Sequence, residues 1–354
     1  MLASGGDPLE VHLNSNKPPA SHTECTRFHP FMHLISRNIG EDTLMKSISR
    51  SNRTLLCVAA SVVALLLFSV ASGRAAENSV TTTVTAVGKK QTPPPPIKKE
   101  DIQLFQGKER MQVADWKRGE TLFIAILIDD SLDQTVASQF GDLKLFINNQ
   151  PQTTYFAVAY SRNGSAVVAQ DFTNDHALAA KALRMPVGSG GAFTSPYLSV
   201  QDWIKRWPDA GGDRRSIIML SSGVDYFRGG FDPVDPDLDS TISRAQKANI
   251  NIWTIYYPDQ GHVGRRFFRV FNAQSNLSRL SEETGAESYY LSTSVPVTLK
   301  PYFEEIEDHL NNQYLLTFEG SGGKKGKFER IRVSTETPNV EFMVPSEVFL
   351  PPLG

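Results

Sequence analysis

The sequence predicts an α/β fold: a doubly wound, mostly parallel sheet with helices on both faces. Three observations carry this. Residues 122–128 (LFIAILI) are apolar without a break, which suits a strand buried on both sides. Strand-like and helical runs then alternate as far as residue 311, the pattern that layers helices on a parallel sheet. The first strand ends in Asp129-Asp130-Ser131-Leu132-Asp133, so oxygen ligands stand at the carboxyl edge, where open α/β sheets bind.

The alternation reads as strand 122–128, helix 135–148, strands 153–160 and 165–171, helices 174–184 and 196–207, strand 215–221, helix 237–248, strand 251–257, helix 276–284, strand 286–291 and helix 297–311. Val136, Phe140, Leu143 and Ile147 share one helical face; so do Leu299, Phe303, Ile306 and Leu310. Arg162-Asn163-Gly164 predicts a hairpin turn, and with it one antiparallel strand at an edge.

This core, 119–312, has flanks of another kind. Residues 101–118 read as a β-hairpin turning at Gly107. The extension 313–354 predicts a second hairpin, 313–318 against 328–333, with a further strand at 340–344, and the two hairpins are expected to pair as a small flanking sheet. Residues 77–100, with four prolines at 93–96, read as a polyproline II linker. Before it, Met45, Lys46, Arg50 and Arg53 precede an apolar run at 55–70 and small residues at 71–76, the order of a cleaved signal peptide over 45–76. The run is shorter than the roughly 20 residues of a spanning helix, so no stable membrane span is expected after cleavage. Residues 1–44 read as a leader, either a mis-called start or disordered. Export to the periplasm or beyond is the expected localisation.

Cys25 and Cys57 are the only cysteines and precede the mature part, which excludes a disulfide, a thiolate metal site or a cysteine nucleophile there. A formal net charge of -2 and the lack of a basic aromatic strip argue against nucleic acid as a partner. His176 and His309 read as surface residues of helices and His262 as a turn residue. The mature part has no His-x-x-x-His pair and no Gly-x-Ser-x-Gly elbow, so no enzyme is expected.

Three loops at one sheet edge hold the candidate chemistry: Asp129-x-Ser131-x-Asp133, the Gly-rich stretch 188–194 ending in Thr194, and Ser221-Ser222-Gly223-Val224-Asp225. Carboxylate and hydroxyl oxygens of this kind suit a hard cation that keeps waters and leaves a position for a partner's carboxylate.

These landmarks resemble a von Willebrand factor A domain, in which an ion occupies a metal-ion-dependent adhesion site. The stretches DIQLFQGKERMQV, LFIAILIDDS, QYLLTFEGSGGKKGKFERIRVST and VFLPP resemble secreted bacterial proteins called von Willebrand factor A-related, across residues 101–350. The resemblance implies Mg²⁺ or Mn²⁺ held by Asp129, Ser131, Asp133 and Thr194. It departs from the family at two positions: Asp133 stands where a serine is expected, and Ser222 where the second aspartate is expected. Asp133, Asp225 or Asp130 are the residues that could restore the charge; alternatively, Asp133 caps the helix that follows.

Phe267 and Phe271 read first as core packing and second as an exposed partner-binding ridge with Arg265, Arg266 and Arg269. Phe227 and Phe231 would form a lip at the carboxyl edge. The expected function is an exported, non-enzymatic adhesion or assembly module that binds a protein at that edge, through a divalent cation or directly. A metal-free structural module joining partners by strand addition is the alternative, and a secreted hydrolase is the third class.

Overall fold

The computed structural model describes residues 79–89, 92–191, 193–208, 214–228, 235–260, 267–290 and 295–352. The leader, the signal segment, both cysteines, Phe231, His262, Arg265 and Arg266 lie outside the described residues. The strands are β1 (Ser79–Gly88), β2 (Ile102–Gln106), β3 (Glu109–Met111), β4 (Val113–Lys117), β5 (Leu122–Asp129), β6 (Thr154–Arg162), β7 (Ser165–Thr173), β8 (Arg214–Ser221), β9 (Ile250–Tyr256) and β10 (Ser288–Tyr289). Five more follow in the tail: β11 (Gln313–Glu319), β12 (Lys327–Glu329), β13 (Ile331–Thr335), β14 (Val340–Met343) and β15 (Val348–Leu350). The α-helices are α1 (Phe140–Asn149), α2 (His176–Lys181), α3 (Pro196–Lys205), α4 (Pro236–Ala248), α5 (Phe267–Glu283) and α6 (Lys300–Asn311).

The core sheet runs β10-β9-β8-β5-β6-β7, parallel throughout except for β7. The expected turn at Asn163 (φ 50°) and Gly164 (φ 70°) reverses the chain into that antiparallel edge. Successive side chains of β5 serve opposite faces. Ile124, Ile126 and Ile128 pack with Leu143 and Phe146 of α1 and with Phe303 and Ile306 of α6. Ala125 and Leu127 pack with Tyr197 and Val200 of α3, Leu238 and Ile242 of α4 and Leu277 of α5. An apolar residue at every position from Leu122 to Ile128 is therefore what two buried faces require.

The flanks depart from expectation. Residues 77–100 are not a linker throughout: β1 lies inside the four-stranded sheet β14-β1-β11-β4. Its Val and Thr residues suit a pleated, buried surface, and Val84 is fully buried there. Extended chain without regular structure is confined to the proline segment that follows.

The predicted hairpin between 313–318 and 328–333 does not form. β11 is instead flanked by β1 and β4, while β13 pairs with β2 and β12 with β15. Burial of β11 along nearly its whole length is the reason, since such a strand needs a partner on each edge. Only part of the expected small sheet forms: β13 joins the first hairpin as β13-β2-β3, while β11 lies in the other flanking sheet. Trp116 stacks on Tyr314 at a centroid distance of 4.5 Å within the apolar cluster beneath these strands.

His176 and His309 are buried, at 5% and 8% exposure, and are not the surface residues expected from their helices. The Nε2 atom of His176 lies 2.9 Å from the Thr154 carbonyl, and His309 stacks on Trp253. Each imidazole extends an apolar helix face into the core, a role that period alone does not separate from surface placement. Predicted helix 135–148 divides into a 3₁₀ turn, Gln134–Gln139, and α1; the last helix before β10 begins earlier than read, at Phe267.

Asn249 is among the residues that tie the flanking sheet to the core. Asn249 ends α4 in the left-handed region (φ 52°), and its Oδ1 accepts from the Thr83 backbone N–H at 2.8 Å. Asn249→Ala is expected to destabilise the fold by about 2 kcal/mol, through left-handed strain and an orphaned buried donor. Urea denaturation measures this, and an unchanged midpoint would show that the contact carries no energy.

Candidate functional site

β5 and β8 are neighbours at the centre of the sheet, and the chain leaves them toward opposite edges. Such a switch point opens a crevice beyond the carboxyl ends of the two strands. Asp129 closes β5 and Ser221 closes β8, so both stand at this crevice.

Asp129 is 1% exposed. Its Oδ1 accepts from the Ser131 backbone N–H at 2.9 Å and from the Ser131 hydroxyl at 2.8 Å. Its Oδ2 accepts from the Ser221 hydroxyl at 3.0 Å. Burial pushes its carboxyl up to about 6, against the hydrogen bonds from Ser131 and Ser221, and the like charge of Asp259 adds to the rise.

The neighbouring carboxylates are engaged elsewhere. Asp130, fully buried, takes both Arg184 guanidinium nitrogens at 2.7 and 2.9 Å. Asp133 caps the 3₁₀ turn: its Oδ1 accepts from the Thr135 N–H at 2.9 Å and the Thr135 hydroxyl at 2.6 Å, and these bonds hold its carboxyl below the usual range. Of the two roles read for Asp133, capping is the one its hydrogen bonds fill.

Thr194 is buried, but its hydroxyl donates to the Gly191 carbonyl at 2.7 Å, across its own loop. Ser195 caps α3 and donates to Asp225 Oδ2 at 2.5 Å. Asp225 Oδ1 accepts from the Arg228 N–H at 2.9 Å, and burial raises its carboxyl. Ser222 is fully buried; its hydroxyl accepts from the Val224 N–H at 3.4 Å, a local turn contact. The serine that reaches Asp129 is therefore Ser221, one residue before the position at which the family's aspartate is expected.

Asp225, Asp235 and Asp237 also gather, with carboxylate oxygens within 4.8 Å of one another. Each already has a role. Asp235 caps α4 through the Asp237 and Leu238 N–H groups, and Asp237 pairs with Arg228 at 2.8 Å.

One residue not singled out as a ligand completes the crevice. Asp259 lies just past β9, is buried, and accepts the Tyr226 hydroxyl. Its segment is tied to the Asp129 loop: the Asp133 N–H donates to the Pro258 carbonyl and the Gln260 N–H to the Ser131 carbonyl, both at 3.0 Å. The rule that flagged Asp129, a carboxylate ending an apolar strand, applies equally to Asp259.

Large aromatic side chains are exposed on two of the carboxyl-edge loops and on α5. Phe193 and Phe227 lie 6.0 Å apart between ring centroids, and both are exposed. Phe268 and Phe271, on the first turns of α5, are 78% and 61% exposed, so the core reading fails for Phe271. The inward face of α5 is made by Val270, Ala273 and Leu277 instead.

The residues fit a hard divalent cation in part. Asp129, Ser131 and Ser221 offer a buried carboxylate and two hydroxyls in mutual contact, and Asp259 adds a second acidic group nearby. The hydroxyls of Ser131 and Ser221 now donate to Asp129; both can rotate to present lone pairs to an ion.

No protein-family model matches the chain, and no curated protein matches it. Solved structures do align. One is an aerotolerance-related membrane protein from Bacteroides fragilis, at 12% identity and a TM-score of 0.39, over 54% of this chain and 98% of that one. BatB from Bacteroides thetaiotaomicron aligns at 11% identity and a TM-score of 0.38, over 55% and 98% of the two chains. Proximal thread matrix protein 1 from the mussel byssus, solved with a zinc-occupied MIDAS motif, aligns at 14% identity and 0.40, over 56% and 47%. The chain's own hydrogen bonding defines the doubly wound, mostly parallel sheet with one antiparallel edge.

Proposed function

We propose that this chain is a non-enzymatic protein-binding module that works outside the cytoplasm and captures its partner at the carboxyl edge of the core sheet. The observation that carries the reading is the buried Asp129 carboxylate at the switch point, contacted by Ser131 and Ser221. The exposed aromatic rings of Phe193, Phe227, Phe268 and Phe271 add to it. A Mg²⁺ or Mn²⁺ ion held by Asp129 and Ser131, with Ser221, offsets the buried negative charge and leaves a position for a partner's Asp or Glu. The aromatic rim supplies apolar area of the kind that anchors protein interfaces. Thr194 and Asp133 join the ion only if their present hydrogen bonds to Gly191 and Thr135 open. No described helix is long and apolar enough to cross a membrane.

Thermal denaturation of the purified protein with and without MgCl₂ or MnCl₂ tests the reading. At a hundredfold excess of cation over Kd, binding stabilises the fold by about 2.7 kcal/mol, and Ser131→Ala is expected to reduce the gain. If the wild type shows no cation-dependent shift, the metal-assisted reading fails.

A second reading rests on β7, the antiparallel edge of the core sheet, which carries exposed Val167 and Val168. Such an edge accepts an added strand. Partner capture that persists in EDTA and is lost on placing proline within β7 selects it. Screening the protein against ester, phosphate and glycoside substrates tests the non-enzymatic part; turnover of any of them would overturn it.

A further inference from the structure

We infer a second metal site, far along the chain from the switch-point loops, formed by Glu287, Glu305 and His309 and suited to zinc or a similar first-row divalent cation. Glu305 and His309 are four residues apart on α6 and so share one helix face. Glu287 precedes β10, and its backbone carbonyl accepts from the Thr254 N–H at 3.2 Å, which fixes that segment beside β9. One imidazole nitrogen and two carboxylate oxygens lie within 4.8 Å of one another. The Glu287 Oε2 atom is 3.9 Å from His309 Nδ1.

Three features distinguish this group from an ordinary patch of surface acids. First, the imidazole is held in place: His309 is buried, stacks on Trp253 at 5.4 Å, and has the Tyr289 hydroxyl 3.3 Å from Nδ1. Second, the local field is negative. Beyond burial, Glu287 feels most strongly the like charges of Glu305 and Glu282, and Glu305 that of Asp308. Third, the site is open to solution. Glu305 and His309 line a groove of about 380 Å³ whose other wall includes Gly88, Pro93 and Pro94.

Zinc bonds of about 2.0–2.1 Å in tetrahedral geometry bring ligand atoms to roughly 3.4 Å apart. The present spacing therefore closes by about 1 Å, a change that the half-buried Glu287 and exposed Glu305 side chains can supply by rotamer adjustment. Three protein ligands leave a fourth position for water or a ligand in the groove. Imidazole separates this site from the all-oxygen crevice: nitrogen favours zinc, cobalt or nickel over magnesium.

The test is calorimetric titration of the purified protein with ZnCl₂, with Co²⁺ absorption as a spectroscopic probe. The wild type is expected to bind Zn²⁺ at this site and Mg²⁺ not at all there. Glu305→Gln and Glu287→Gln, partly or fully exposed and close in shape, are each expected to fold normally by circular dichroism and to weaken Zn²⁺ at least about tenfold. His309→Gln is expected to alter the Co²⁺ spectrum. Asp129→Asn is expected to leave Zn²⁺ binding unchanged, which separates this site from the switch-point crevice. Absence of Zn²⁺ binding to the wild type, or unchanged affinity in both glutamine variants, overturns the inference.

Discussion

Arg184→Ala is expected to lower the unfolding free energy by about 3 kcal/mol, the cost of stranding a buried charge. Asp130 is 0% exposed and accepts from both Arg184 nitrogens and, at 3.3 Å, from the Val187 N–H. The guanidinium carbon also sits 3.6 Å from the centre of the Tyr160 ring, which holds the fork in position. Because the Arg184 side chain is partly exposed, solvent screens the pair from its outer side, and the lower end of the range for broken buried pairs applies. Urea denaturation of Arg184→Ala, Asp130→Asn and the double variant forms a cycle whose coupling energy isolates the pair. A single-variant loss within 0.5 kcal/mol would reduce the contact to an ordinary surface ion pair.

Asp129→Asn is expected to stabilise the cation-free protein at pH 7 by as much as about 3 kcal/mol and to abolish its response to Mg²⁺. The folded carboxyl is pushed up to about 6 from 3.8. A folded pKa above the unfolded one means that the native state holds the proton more tightly. The associated stability is complete below pH 4, falls as pH rises to about 6, and is absent above it, a total of about 3 kcal/mol. Asparagine keeps the shape without the charge, so that loss disappears from the difference between variant and wild type. Denaturation of both proteins between pH 4 and pH 8, in EDTA, measures it. A difference that does not grow across this interval would mean that Asp129 ionises in place without penalty. Adding Mg²⁺ should then narrow the gap at pH 7 by stabilising only the wild type.

These expectations show how much of the site was legible. Asp129 and Ser131 could be read as partners because a run apolar at every position has to be a central strand, and whatever follows it lies at the sheet's edge. The turn at Asn163-Gly164 was legible for a similar local reason, since positive φ at two successive residues suits those residue types. Asp133 carried two readings, and only the Thr135 contacts show which of them it fills in the folded chain. Thr194 shares the region, but a bond to Gly191 turns its hydroxyl aside, and no spacing rule foresees the rotamer of a threonine.

The flanks mark the other limit. β1 has the composition of a strand, yet a neighbouring run of prolines gave it the look of a spacer. Its partner β11 lies far along the chain, as in the pairing of Val84 with Tyr314 and Thr85 with Gln313. Local turn chemistry suggested that β11 folds back on the next strand, but burial demanded a partner on each of its edges. By itself, the sequence determined the strand–helix alternation, the central strand and its acidic end, because hydrophobic period and turn chemistry are local. Only the tertiary structure decided that Ser221 and Asp259, not Ser222, accompany Asp129, and that His309 meets Glu287 and Glu305. Those meetings join segments far apart in the chain, and long-range packing sets them.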